Sequence, residues 1–147
     1  MNLEPKLIHS RHHIDERGKI TFFNDFDLKL VRRLYLIDHP NPAVVRAWQA
    51  HKLEQKWFYV IGGSFKVVIV QPDDWEHPSN DLKTHEYTLR SEESHVLHIP
   101  GGLANGFKAL QPNSKMIVFS NFTVEESSND NLRFNKEMWY DWNNEKD

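Results

Sequence analysis

The side chains best suited to chemistry cluster in residues 46–70, with the sequence RAWQAHKLEQKWFYVIGGSFKVVIV. Two-residue periodicity places Gln49 and His51 on one face of the first strand predicted there. An imidazole with an ordinary pKa of about 6.5 can act as a base or an acid near neutral pH, whereas an amide can hold a polar group but cannot take a proton. The stretch therefore predicts a polar site on the face that carries Gln49 and His51.

A second polar pair lies upstream, in the segment LKLVRRLYLID. Alternation puts Arg33 and Tyr35 on the same face of the strand predicted there. Tyr35 is a candidate to supply a proton or to orient a carbonyl group. The alternative stays open that Arg33 extends its charged end to solvent while Tyr35 packs with its hydroxyl hydrogen-bonded.

The elements that must position these side chains are short strands. Residues 46–70 contain three of them, and the pair Gly62 and Gly63 predicts a tight turn between the last two. A short strand from Leu7 runs into a polar turn, and further strands are predicted at residues 19–23, 31–37, 85–89, 95–99 and 115–122. Eight or more strands about ten residues apart, with no helical periodicity before the tail, predict an antiparallel sandwich or barrel. Residues 129–147 are expected to cover it.

The composition narrows the function classes. A chain of 147 residues with 39% hydrophobic content is expected to form a single domain. A net charge of -3 and dispersed basic residues give no field for nucleic acid, so we expect no nucleic-acid partner. The absence of cysteine excludes a thiol nucleophile. No apolar run marks a signal peptide or a membrane span, which predicts a cytoplasmic protein without a membrane partner.

The neighbouring histidines His12 and His13 raise the question of a metal site. Adjacent side chains project in different directions, and no third ligand lies near them in the sequence. A solvated loop is therefore favoured over a metal site.

Two segments resemble the two halves of the cupin pattern. The first half matches at Gln49, His51, Gln55 (or Glu54) and Gly62, and the second half matches the run PGGLAN at residues 100–105. The resemblance implies a single-domain, all-β jelly-roll barrel, also called a double-stranded β-helix. Metal cupins bind their ion through imidazoles and a carboxylate at these positions. One imidazole among neutral amides is a poor set of ligands for a transition metal, so neither a metal nor another cofactor is expected.

Within the cupins, the chain resembles metal-free enzymes of dTDP-4-keto-6-deoxyhexose metabolism. The motifs RGKITFF, VRRLYLID, RAWQAHK, EQ and GSFKV are similar to the dTDP-4-keto-6-deoxyglucose 3,4-ketoisomerases. The downstream motifs IPGGLANGF and RF, with a late Trp, are similar to the dTDP-4-dehydrorhamnose 3,5-epimerases. Together these motifs cover nearly the whole chain.

The resemblance implies roles for individual side chains. Arg46 and Arg17 are the candidate cations for the diphosphate, with Lys56 near the sugar or the phosphates. His51 is the candidate proton shuttle with Tyr35 beside it, and Gln49 positions the sugar.

The chain departs from both patterns at the usual base, which is Gln49 here. Asn105 replaces an epimerase histidine, and Phe119 aligns with the epimerase acid. A complete 3,5-epimerase site is therefore not expected. The remaining predicted substrate-binding side chain is Arg33.

Three hypotheses follow from these observations. The first is an isomerase of nucleotide-linked 4-keto-deoxysugars that is nearer to a 3,4-ketoisomerase than to a 3,5-epimerase. The second is a non-catalytic cupin that binds a nucleotide sugar or carbohydrate, and the third, ranked last, is a metal-dependent cupin. The expected partners are a small-molecule nucleotide sugar and a second copy of the chain in a homodimer, because an all-β domain must cover its sheet edges.

Overall fold

The computed structural model describes residues 3–143, and antiparallel strands dominate it. The strands of this part of the chain are β1 (Lys6–His9), β2 (Arg11–Asp15), β3 (Gly18–Phe22), β4 (Arg33–His39), β5 (Val45–His51), β6 (Lys56–Gly62), β7 (Ser64–Val70), β8 (Thr84–Arg90), β9 (His95–Ile99), β10 (Leu103–Ala109), β11 (Ser114–Ser120) and β12 (Leu132–Arg133). A 3-10 turn spans Leu28–Leu30, and one short helix, α1, spans Val124–Ser128.

Two five-stranded sheets form the barrel. The first sheet has the strand order β1-β9-β6-β11-β4, and the second has the order β12-β5-β10-β7-β8. Strands β2 and β3 form a separate two-stranded ribbon. The predicted turn at Gly62 and Gly63 carries the chain from β6 in the first sheet to β7 in the second, and Gly63 has a φ of 68°. The prediction of an all-β, cupin-like barrel is confirmed.

The main core lies between the two sheets. Each strand contributes alternate side chains to it, because successive residues of a strand point to opposite faces. Its fully buried members include Phe58, Phe65, Ile69, Leu97 and Met116. Strand β7 is buried along its whole length, since the outer side chains Val68 and Val70 are covered as well.

The cover over those outer side chains comes from the C-terminal segment. Trp142 packs on Trp48 with ring centroids 5.6 Å apart, and Trp139 packs on the same ring at 5.3 Å. The indole Nε1 of Trp48 donates a hydrogen bond to the carbonyl oxygen of Met138 at 2.9 Å. Of the cover predicted at residues 129–147, the described part therefore packs on the second sheet, while residues 144–147 lie outside the described range.

A β-bulge interrupts the pairing of β5 with β10. Asn105 pairs with Gln49 and Phe107 pairs with Arg46, so two residues of β5 face one residue of β10. The extra residue reverses the alternation of faces, as bulges do. Arg46 and Gln49, three positions apart, consequently both line the space between the sheets, which strict alternation would forbid, although Arg46 remains exposed to solvent.

Gly106 faces the bulge because no side chain fits there. A Cβ atom on Gly106 would lie 2.7 Å from the Cβ of Ala47 and 2.8 Å from Cζ2 of Trp142. We expect Gly106→Ala to lower the free energy of unfolding by about 1–3 kcal/mol, because tightly packed neighbours must move apart. Urea titration would measure the loss. Gly62→Ala is the matched control, since its nearest contact would be an ordinary 3.8 Å; equal stability of the two variants would contradict the prediction.

The structure differs from the sequence-based expectations in three places. His12 and His13 lie on β2 and not in a loop, although both are exposed. Strand β10 was not predicted, because its sequence LANGFKA combines Gly and Asn with small side chains that have low β propensity. Helix α1 was also missed. Its capping box joins Thr123 and Glu126, and this Thr-x-x-Glu spacing was the available signal.

Candidate functional site

A cavity of about 600 Å³ lies between the two sheets. Its volume falls in the range of about 300–1,000 Å³ typical of small-molecule sites. Strands β4, β6 and β11 of the first sheet and β5, β10 and β12 of the second all contribute to it. The apolar part of the wall includes Ile37, Phe58, Phe107 and Val118, and the polar part is Tyr35, Asp38, Arg46, Gln49, Lys56, Asn105 and Arg133.

Lys56 is the most deeply placed cation of the cavity wall, with 3% of its surface exposed. Its Nζ donates a hydrogen bond to Oε1 of Gln49 at 3.0 Å, and Nε2 of Gln49 donates in turn to Oδ1 of Asn131 at 3.1 Å. Burial lowers the pKa of Lys56 to about 8, and Arg33 and Arg133 act in the same direction while Glu54 opposes them. About a tenth of the molecules therefore carry a neutral Lys56 at pH 7.

Tyr35 and Asn105 bring neutral polar groups to the same cavity. Among residues 3–143, neither the Tyr35 hydroxyl nor the Asn105 amide has a protein hydrogen-bond partner. Burial raises the pKa of Tyr35 to about 12, so its hydroxyl keeps its proton at physiological pH. The Nζ of Lys56 lies 5.9 Å from the centre of the Tyr35 ring. Both groups are available to a ligand.

Arg46 is held at the cavity by one edge of its guanidinium. Its Nε donates a hydrogen bond to Nε2 of His39 at 2.8 Å, and His39 is 3% exposed. Burial lowers the pKa of His39, with the charge of Arg46 acting in the same direction, so the imidazole is neutral and accepts this bond. The two terminal nitrogens of Arg46 have no partner within residues 3–143, and their fork matches an oxyanion.

A buried carboxylate organises the residues beneath the cavity wall. Glu54 has a fully buried side chain that accepts hydrogen bonds from the hydroxyls of Ser120, at 2.5 Å, and Ser127, at 2.6 Å. Nη2 of Arg33 donates to Oε2 of Glu54 at 3.3 Å, the oxygen that also accepts from Ser120. Burial alone would raise the pKa of Glu54, yet the hydrogen bonds from these hydroxyls and the charge of Lys56 hold it below its ordinary value. Glu54 is therefore ionised inside the protein.

His51 belongs to this buried layer and is not part of the cavity wall. Its Nδ1 lies 2.7 Å from the carbonyl oxygen of Asp130 and 3.3 Å from Oε1 of Glu54, which places the proton on Nδ1. Burial lowers the pKa of His51 and the charge of Lys56 lowers it further, while the hydrogen bond to Asp130 and the charges of Glu54 and Asp130 act in the opposite direction without cancelling the decrease. The hydrogen bond of this neutral ring goes to the carbonyl oxygen of Asp130, and the carboxylate of Glu54 is a close neighbour of the ring and not its ion-pair partner. The buried Nε2 has no partner in the described chain.

The side chain of Asp130 fixes the turn between β5 and β6. Its carboxylate accepts hydrogen bonds from the backbone N–H groups of Lys52, Leu53 and Glu54, each at 2.8 Å. Carboxylates that accept several backbone N–H bonds are strongly held. The segment that leads into β12 is therefore tied to the turn that places Glu54 and Lys56.

The structure brings together only part of the predicted site. Tyr35, Arg46, Gln49, Lys56 and Asn105 line one cavity, whereas His51 lies beneath it. The other three predicted residues, Arg33, Arg17 and Phe119, lie elsewhere.

Each of these three has a structural reason for its position. Arg33 does not line the cavity because it pairs with Glu54. Arg17 lies at the exposed turn of the ribbon and pairs with Asp15 at 2.7 Å. Phe119 points away from the interior and packs on Phe26 at 5.2 Å, because the inward positions of β11 are Met116, Val118 and Ser120.

Arg133, His39 and Asp130 were not predicted as site or supporting residues. Arg133 reaches the cavity because β12 pairs with β5, opposite Gln49. The motif RF at residues 133–134 was the available signal for it. His39 and Asp130 act through contacts between residues distant in sequence, and no local pattern reveals such contacts.

Within residues 3–143, no three His, Cys, Asp or Glu side chains are grouped so that they could hold a metal ion. No helix in the same range is long and apolar enough to cross a membrane.

The two facing antiparallel sheets and the polar cavity between them define a cupin-type protein. The chain belongs to the WxcM-like, C-terminal family (FdtA), whose sequence pattern matches residues 3–139. No curated protein matches the sequence significantly.

Solved structures share the fold at low sequence identity. The RmlC epimerase of Mycobacterium tuberculosis has a TM-score of 0.74 and 20% identity, with 94% of this chain and 74% of that chain covered. A 3,4-ketoisomerase from Helicobacter canadensis has a TM-score of 0.70 and 18% identity, with 94% and 96% covered. The sugar 3,4-ketoisomerase QdtA of Thermoanaerobacterium thermosaccharolyticum, in complex with TDP, has a TM-score of 0.70 and 19% identity, with 91% and 90% covered.

Proposed function

We propose that this protein is an isomerase of a nucleotide-linked, dTDP-type 4-keto-6-deoxyhexose, and that it shifts the keto group between C4 and C3. The observation that carries the proposal is the 600 Å³ cavity in which Tyr35, Lys56 and Arg46 meet. Membership in the family and the likeness to ketoisomerase and epimerase structures support the same substrate class.

The diphosphate is assigned to the cationic part of the cavity. Arg46 and Arg133 both line it, and an arginine fork can bond two phosphate oxygens at once. Arg46 is pre-oriented by His39, which reduces the rotational freedom lost on binding. The bound TDP of one structural relative agrees with this part of the proposal.

The sugar is assigned to the polar wall around Gln49. A 4-keto group acidifies the hydrogen on C3, so a base can remove it when donors stabilise the enolate oxygen. Tyr35 and Asn105 present groups without protein partners to this space, and the amide of Gln49 is fixed between Lys56 and Asn131. The cavity can therefore orient the sugar and stabilise the charge that develops on oxygen.

The test is hydrogen exchange at the sugar ring. Purified protein incubated with dTDP-4-keto-6-deoxyglucose in deuterated water is expected to incorporate deuterium and to form the 3-keto isomer, faster than an enzyme-free sample. Proton NMR would follow the C3 and C5 positions separately. Exchange at both C3 and C5 would support an epimerase instead, and no exchange above the enzyme-free rate would reject catalysis.

A non-catalytic nucleotide-sugar binder is the second candidate. Gln49, which cannot take a proton, stands where the resembled enzymes have their base, and this observation favours it. This candidate predicts that dTDP-sugars bind and raise the melting temperature, while the deuterium content of the sugar stays at the enzyme-free level.

A further inference from the structure

The hydrogen bond between Lys56 and Gln49 fixes the orientation of the buried amine. A neutral amine has two N–H donors and one lone pair. Because Oε1 of Gln49 accepts one N–H at 3.0 Å, the second N–H and the lone pair are left for the cavity that Lys56 lines. The amide itself is held by Asn131, so the pair is a fixed unit of the wall.

The remaining polar groups of the cavity wall are less suited than Lys56 to act as a base near neutral pH, because they cannot exchange a proton there or lie at its exposed edge. Arginines do not lose their proton in proteins, and amides do not gain one. The hydroxyl of Tyr35 keeps its proton because burial raises its pKa to about 12. Asp38 has a side chain that is 68% exposed, and it pairs with Lys115 at 3.5 Å on the rim. His51 does not line the cavity at all.

We propose that Lys56 is the base that removes the proton from the sugar carbon beside the carbonyl, and that Gln49 is its positioning residue. This inference rests on the proposed isomerase function. It gives the site a proton carrier that the sequence patterns of the resembled enzymes do not assign.

The proposed steps conserve atoms and charge. The lone pair of neutral Lys56 takes the C3 hydrogen as a proton, the C3–H bonding electrons form a C3–C4 double bond, and the C4 carbonyl oxygen becomes an enolate. The proton of the C3 hydroxyl moves to that oxygen. The ammonium of Lys56 then gives its proton to C4 while the C3 carbonyl forms, which returns the amine to its neutral state.

The charged and titratable groups around Lys56 make this chemistry feasible near neutral pH. Those whose charges act on its pKa are Arg33, Arg133 and Glu54, and His51 and Tyr35 are the other titratable neighbours. Burial is the largest effect and brings the pKa to about 8, so about a tenth of the molecules carry a neutral Lys56 at pH 7.

The dependence of kcat/KM on pH distinguishes Lys56 from His51 as the base. With Lys56 as base, kcat/KM is expected to rise about tenfold per pH unit below pH 8 and to level off above it. With His51 as base, the profile would already be level above about pH 6.5, because its pKa is lowered. A profile without a rise between pH 6.5 and 8 would overturn the proposal.

The first variant test is Lys56→Arg, which keeps a cation but removes the titratable amine. Deuterium exchange is expected to fall by at least about 1,000-fold while the Kd for dTDP changes by less than about threefold. Lys19→Arg, on the exposed ribbon, is the matched control and should exchange like the natural protein. Exchange by Lys56→Arg within tenfold of the natural protein would overturn the proposal.

A second test remains informative if Lys56→Arg folds poorly. The chain contains no cysteine, so Lys56→Cys introduces a single thiol. Alkylation with 2-bromoethylamine after unfolding, followed by refolding, rebuilds a lysine-like side chain with a primary amine. Alkylation with (2-bromoethyl)trimethylammonium gives a fixed cation without a lone pair. We expect the amine adduct to regain exchange to within about tenfold of the natural protein and the quaternary adduct to regain none.

The outcomes distinguish the two proposals. If the natural protein exchanges and both adducts restore exchange equally, Lys56 acts only through its charge and the assignment as base is wrong. If the natural protein itself does not exchange the sugar hydrogen, the proposed function fails before Lys56 is tested.

Discussion

Glu54→Ala is expected to lower the free energy of unfolding by about 3–5 kcal/mol, the typical cost of removing one member of a buried ionic cluster. The carboxylate is fully buried, and its loss leaves the hydroxyls of Ser120 and Ser127 and the guanidinium of Arg33 without their acceptor. Urea titration at pH 7 would measure the change. Glu93→Ala is the control, because its exposed pair with Arg90 contributes about 0–1 kcal/mol.

The same carboxylate predicts how stability depends on pH. Its pKa is lowered in the folded state, so the folded protein binds the proton more weakly than the unfolded chain does. The stabilisation is complete above the unfolded-state pKa of about 4.3 and is lost as the pH falls through the folded-state value. Glu54→Gln should remove this part of the acid sensitivity. A variant as stable as the natural protein at both pH 7 and pH 3.5 would contradict the role given to Glu54.

Arg46→Ala is expected to weaken dTDP binding by about 30–100-fold, or about 2–3 kcal/mol, because a charge-assisted fork to the diphosphate is lost. Binding of thymidine, which has no phosphate, should change by less than about threefold. Arg46→Lys should be intermediate, since an ammonium keeps the charge but neither the fork nor the Nε bond to His39. Isothermal titration calorimetry with both ligands would measure these differences.

The control for this experiment is Arg90→Ala, since Arg90 lies at the end of β8 and pairs with Glu93. If Arg46→Ala and Arg90→Ala bound dTDP equally well, the diphosphate would have to lie elsewhere. Raising the salt concentration should weaken dTDP binding by the natural protein more than by Arg46→Ala, because salt screens the exposed charge.

Sequence periodicity predicted most of the strands and the direction in which several candidate side chains point. The alternation of β4 correctly placed Tyr35 on the inner face, and that of β5 placed Gln49 and His51 together. Alternation predicts the face on which a side chain lies, but it does not predict which side chains of that face line the cavity. His51 lies two residues further along β5 than Gln49, at the end of the strand and next to the turn that Asp130 fixes. This turn depends on contacts between residues nearly 80 positions apart.

The positions of three other candidate side chains, Arg46, Arg33 and Phe119, could not be predicted from the sequence pattern. Arg46 lines the cavity because the bulge opposite Gly106 shifts the alternation by one residue. Arg33 faces inward as expected but is bound by a buried carboxylate. Phe119 was assigned through an aligned motif, whereas the pairing of β11 with β6 turns its ring to the outer face. In each case a non-local contact outweighs the local pattern.

The late position of Asp130 and Arg133 has a consequence for biosynthesis. Both residues are translated after all the strands of the first sheet, yet one fixes the turn before β6 and the other completes the cavity wall. A nascent polypeptide that has not yet been extended to residue 130 therefore lacks the carboxylate that fixes this turn, and it also lacks one cation of the cavity wall. Premature termination before this point would retain the residues of the main core, the last of which is Val118, but would leave the cavity wall without Arg133.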